Sequence, residues 1–126
     1  MSKIEKFEDL IAWQKARELT KVVYQLTRET GMAKDYGLSG QMQRAAVSVM
    51  ANIAEGFERK RRSEFHQFLS VAKSSCAELR SHLYVALDAS YLSPGRFKEL
   101  TACAQEVGRI IGGLRSVVER QRNEEK

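Results

Sequence analysis

The sequence predicts an all-α fold, an antiparallel up-down-up-down four-helix bundle, and three observations carry that prediction. Apolar residues recur every three or four positions through four long segments, no segment sustains the alternation of a strand, and the connections are short. The expected helices span approximately 9–29, 38–56, 63–91 and 94–121. In the first, Ala12, Ala16, Leu19, Val23 and Leu26 lie along one face of a helix that begins near Asp9 and is ended by Gly31. In the second, Leu38, Met42, Ala46, Val49, Ile53 and Phe57 form the stripe. Gly56 reads as its left-handed stop, because glycine lacks the steric penalty of a Cβ.

The third helix reads as capped by the Ser63 hydroxyl. From there Phe65, Phe68, Leu69, Ala72, Cys76, Leu79, Leu83 and Leu87 keep helical period for about seven turns. "SPGRF" restarts the chain, with Ser93 as cap and Pro94 at the first helical position, where its missing N–H costs nothing. Phe97, Leu100, Ala104, Val107, Ile111, Leu114 and Val118 then alternate steps of three and four, the cleanest heptad of the chain. The 126 residues show no composition break, so one domain, 1–126, is expected, with 1–6 and the polar end 122–126 frayed.

Several function classes are disfavoured. Cys76 and Cys103 lie far apart in apolar patterns and read as small buried hydrophobes of a reducing compartment. The start lacks the apolar core of a signal peptide, and "AAVSVMANIA" is too short and polar to span a bilayer, so a cytoplasmic protein without a membrane partner is expected. His66 and His82 stand sixteen residues apart on nearly opposite faces of helix three, about 24 Å along it, and cannot share a metal within one chain. Glu78 and His82 read as a solvent-facing pair. "GLSG" lacks the lysine of a phosphate-cradling loop. No metal, cofactor or catalytic residue is therefore expected, and the chain does not read as an enzyme.

What the sequence does offer is charge. The formal net charge is +5, with twenty-one basic and sixteen acidic residues interleaved, and the densest cluster is Arg59, Lys60, Arg61 and Arg62 between helices two and three. Such residues contact phosphates without reading sequence; equally, a charge run in a turn serves solubility. Asn52 and Glu55, one turn apart before Gly56, need partners if buried. They read either as part of a binding surface beside the basic turn or as structural polar ties to helix one, through Gln14, Lys15 or Arg17. Helix two is apolar over much of its circumference, since Val47, Met50 and Ala54 extend its stripe and only Arg44, Ser48 and Glu55 mark a polar one. Either a second subunit covers that flank or its alanines permit tight packing within one monomer.

"FEDLIAWQKARELTKVVY", "GLSGQMQRAAVSVMANIAEGF", "SEFHQFLSVAKSSCAELRSHL" and "EVGRIIGGL" together resemble the small four-helix bundle proteins encoded inside intervening sequences of bacterial 23S rRNA genes. "DL-x-x-WQKA" and "NIAEG" are the most specific pieces; "SGQMQRAA" departs, with Gln43 where a second basic residue beside Arg44 is expected. The resemblance implies a homopentamer of antiparallel bundles. It is also distantly similar to the accessory proteins of diversity-generating retroelements, which bind nucleic acid and a reverse transcriptase. The leading expectation is thus a non-enzymatic oligomer that binds RNA, or nucleic acid generally, through Arg59, Lys60, Arg61 and Arg62. The alternative is a scaffold for a protein partner, such as a reverse transcriptase or a ribosome-associated factor.

Overall fold

Leu10 interrupts the expected first helix. In the computed structural model, which describes residues 3–29 and 31–124, Phe7–Asp9 form a single 3-10 turn and Leu10 is extended. α1 then runs Ile11–Thr27. The cause is local: the Asp9 carboxylate turns back to accept from the Glu5 and Lys6 N–H groups at 3.1 and 3.2 Å, so it caps its own turn and is not the start of α1. The α1 stripe is as read, with Ala12, Ala16, Leu19, Val23 and Leu26 all buried. The helix stops at Thr27, short of the expected 29, and after Gly31 (φ 95°) a second 3-10 turn, Met32–Lys34, buries Met32 completely.

α2 spans Tyr36–Glu58 and begins two residues earlier than expected because Asp35 caps it, accepting from the Leu38 N–H at 3.1 Å. Gly56 is not its stop. The helix passes straight through Gly56, which is buried; a Cβ there would stand 2.6 Å from Phe68 Cβ and 3.0 Å from Phe65 Cδ1. The missing side chain lets α2 and α3 close on each other. The reversal is made by Lys60, held in the left-handed region at φ 65°.

α3, Arg62–Asp88, starts from Arg61, an extended residue with no side-chain cap, and the Phe65 N–H donates to the Arg61 carbonyl at 2.9 Å. Ser63 therefore lies inside the first turn and does not cap it, since the chain has already reversed at Lys60. At the other end Ser90 (φ 65°) forms a Schellman closure: Tyr91 N–H donates to the Ala86 carbonyl at 2.9 Å and Ser90 N–H to that of Leu87 at 3.0 Å. This ends α3 before the expected 91. α4, Pro94–Glu124, begins with the Ser93 cap as read, Arg96 N–H donating to Ser93 Oγ at 3.1 Å, and continues beyond the expected 121. Residues 1, 2, 125 and 126 of the expected frayed ends lie outside the described residues.

Each helix packs on its neighbour in the chain, and α1 meets α4 to close the bundle; α2 on α3 and α3 on α4 are the most extensive pairings. Leu19, Leu26, Met42, Ile53, Leu69, Leu79 and Ile111 fill the interior, each burial contributing about 1.5–3 kcal/mol. Ser48 and Ser75 share a hydroxyl hydrogen bond of 2.9 Å across α2 and α3. Gln43 Nε2 donates to Thr27 Oγ1 at 2.9 Å, so the residue found where a second basic one is expected ties α2 to α1. Among the described residues there is no strand, and no helix is long and apolar enough to cross a membrane.

Candidate nucleic-acid interface

The four cations of the turn are placed by the closing of α2 and the opening of α3. Arg59 is the C-cap of α2, Lys60 the left-handed residue, Arg61 the N-cap of α3 and Arg62 its first residue. Two rings hold charge beneath them: the Arg59 guanidinium lies 5.2 Å from the Phe68 centroid and Lys60 Nζ 5.8 Å from that of Phe57. Glu64 stands 3.8 Å from both Arg59 and Arg61, whose side chains are 53% and 79% exposed. Arg62 Nε donates to Gln121 Oε1 on α4 at 3.3 Å. Lys60, Arg61 and Arg62 border an open hollow of about 910 Å³ together with Arg122, and Leu10, Phe57, Phe65 and Leu114 contribute to its apolar floor.

Asn52 and Glu55 do not tie α2 to α1. Asn52 Nδ2 donates to the Ser48 carbonyl at 2.8 Å and to Ser48 Oγ at 3.0 Å, and so supports the Ser48–Ser75 link to α3. Glu55 is exposed, beside Phe7 and Arg59 in a shallow hollow. The residues expected to receive them are turned elsewhere: Gln14 donates to the Glu8 carbonyl, Lys15 pairs with Glu18, and Arg17 lies over Trp13.

A second basic region is not apparent from the sequence. Lys73 and Arg80 on α3 and Arg109 and Arg115 on α4 line a groove of about 630 Å³ between these helices, with Ser70 and Gly108 among its other walls. Arg115 Nε donates to Ser70 Oγ at 2.8 Å. The only sequence signal is the seven-residue spacing of Lys73 and Arg80, which places them on one face of a helix. Between groove and turn, Glu119 stands 3.1 Å from His66 Nε2 and 3.6 Å from Arg122.

The remaining titratable groups are dispersed. His82 meets Glu78 at 3.3 Å, as read, on a helix face away from the His66 pair. Burial pushes the Cys76 thiol up to about 11, against the opposing charges of Lys73 and Arg80, so it stays protonated near neutral pH and is a poor nucleophile. Burial, then Glu106 and Glu18, also raise Cys103, with Lys15 opposing. Among the described residues no group of three or more His, Cys, Asp or Glu is placed to hold a metal ion. What this arrangement can do chemically is gather anions.

A family model described as 23S rRNA-intervening sequence protein matches residues 8–113. The chain belongs to this family. Its matched span contains the whole basic turn and three of the four groove cations; Arg115 and Arg122 lie beyond it. Among solved structures the chain is similar to a protein of unknown function from the S23 ribosomal protein family of Bacteroides thetaiotaomicron VPI-5482, with a TM-score of 0.78. The two are 18% identical over 84% of this chain and 96% of that one, a likeness that speaks to the fold. A search of the curated proteins finds no match.

Proposed function

We propose that this family member is a non-enzymatic, cytoplasmic homo-oligomer, a pentamer by its family resemblance, that binds RNA through Arg59, Lys60, Arg61 and Arg62. The observation that carries the reading is convergence: Lys60, Arg61 and Arg62 meet Arg122 from α4 around one open hollow. Glu64 does not commit its two arginines, because exposed ion pairs are worth only about 0–1 kcal/mol and a phosphate competes readily. Repetition of the turn around an oligomer would multiply weak contacts into useful avidity. The exposed flank of α2, where Val47 is 39% accessible, offers the surface for that assembly.

Replacing all four cations with glutamine is the test. The slope of log affinity for unrelated RNAs against log salt should become shallower by about 0.7–0.9 for each phosphate the variant can no longer neutralise, with thermal unfolding and sedimented mass unchanged. A wild-type chain that sediments as a 14.3 kDa monomer at micromolar concentration would end the oligomer reading. A second reading has its own observation: Ile4 and Val117, 45% and 38% exposed, lie in the wall of the same hollow and suit an apolar side chain of a protein partner, such as a reverse transcriptase or ribosome-associated factor. An unchanged salt slope in the quadruple variant would favour it.

A further inference from the structure

We propose that the α3–α4 groove is a second phosphate-binding stretch, which takes the backbone of a nucleic-acid strand through Lys73, Arg80, Arg109 and Arg115; this rests on the nucleic-acid reading above. The first ground is its charge. Four cations line the groove, and among the described residues no Asp or Glu does, whereas the turn carries Glu64 in its midst. Like charges along one seam sum to a local positive potential that draws an anion.

The second ground is an orphaned donor. Arg80 Nε is buried and has no hydrogen-bond partner among the described residues, and a donor withdrawn from water without a new acceptor is costly to the fold. Nε itself is closed to water, so an acceptor in the groove meets it once the Arg80 side chain, which lines the groove, shifts. The third is how Lys73 is held. A Cβ at Gly112 would stand 3.0 Å from Lys73 Nζ, so the absent side chain lets the ammonium lie across the α4 backbone.

The geometry favours a strand over a compact anion. A site for one small anion brings its donors to a point, but here they are strung along two helices. Ser70 to Arg80 covers about 15 Å of helix axis, enough for about four phosphates at the rise of one strand in a duplex. Arg62 lies about 12 Å further back along α3. Arg62, Lys73 and Arg80, spaced by eleven and seven residues, fall on one face of that helix, so groove and turn share one edge of the bundle.

Lys73→Gln with Arg109→Gln is the informative variant, since both side chains are exposed and the fold should be spared. A fluorescein-labelled 20-nucleotide oligouridylate serves as probe, titrated across salt against wild type, this double variant and the quadruple turn variant. The double variant should show a salt slope shallower by about 1.4, two phosphates at about 0.7 each for a single strand. The backbone amide resonances of Gly108 and Gly112 in the wild-type protein should shift on titration, which tests the site even if the variant fails to fold. If the turn variant weakens binding while the double variant keeps the wild-type slope and these amides stay still, the groove proposal falls and the nucleic-acid reading stands. If wild type shows no salt-dependent binding, the reading falls and takes the groove with it. If the glycine amides move with inorganic tripolyphosphate but not with oligouridylate, the groove is a small-anion site and the strand assignment is wrong.

Discussion

The two ends of α3 are closed by the same backbone device and built for different ends. Lys60 before the helix and Ser90 after it are both non-glycine residues at φ 65°. Around Ser90 the neighbours are locked: the Tyr91 hydroxyl donates to Asp35 at 2.9 Å, Asp35 also caps α2, and Arg96 holds Glu29 through both carboxylate oxygens at 2.6 and 2.7 Å. Around Lys60, Arg59 and Arg61 stand 3.8 Å from Glu64 over an apolar packing of Phe57, Phe65 and Phe68, and Arg62 reaches Gln121 at 3.3 Å. One end joins two connections into a fixed tie, and the other holds Arg59 and Arg61 only through exposed pairs with Glu64. A left-handed residue without glycine is therefore no guide to role; what surrounds it decides.

That contrast can be broken most strongly at Gly56. Alanine there gains about 1 kcal/mol of helix propensity, but its Cβ meets Phe68 Cβ at 2.6 Å, an atom fixed to its own backbone, and overpacking of this kind costs about 1–3 kcal/mol. Gly56→Ala should thus lose up to about 2 kcal/mol in urea unfolding, net of the gain. A stabilised variant would show that the cation-bearing end is as loosely packed as its polar contacts.

A smaller effect is expected at the tied end. Glu29→Gln should cost about 0.5–1 kcal/mol, because the contacts are short but come from a single guanidinium nitrogen, and the side chains are 42% and 39% exposed. The loss should shrink in 1 M salt, where the screening length is about 3 Å. Equal losses at low and high salt would mean that packing, not charge, holds this end. The smallest effect is confined to alkaline pH. The hydrogen bond to Asp35, with lesser help from burial, raises the Tyr91 phenol above its ordinary value. The bond's contribution is then whole below about pH 10 and is lost as pH rises through the raised folded value. Tyr91→Phe should flatten that alkaline decline in the urea midpoint, and identical profiles for the two proteins would remove the bond from the tie.

Legibility followed range. The stripes from Ala12 to Leu26 and from Leu38 to Ile53 were readable because burial of one helix face imposes its period on the residues themselves. Gly56 misled because a glycine at the end of an apolar run has two uses, reversal and close approach, and only the position of Phe68 on another helix distinguishes them. Lys60 carries no sequence signal for its left-handed turn. The basic turn was visible because its four charges are consecutive; the groove was not, because Lys73 and Arg109 come together only through the register of α3 against α4.

By itself, then, the sequence determined the helices, their inward faces and the one contiguous charge cluster, since each follows from neighbours within a turn or two. The tertiary structure decided where the chain reverses, which glycine is packed and not turned, that Asn52 serves Ser48 and Ser75 while Glu55 is exposed, and that four separated cations share a groove. The physical reason is that these depend on how far one helix slides and rotates on the next. That displacement is set by the sum of many side-chain contacts across the core, and no local stretch of the chain contains it.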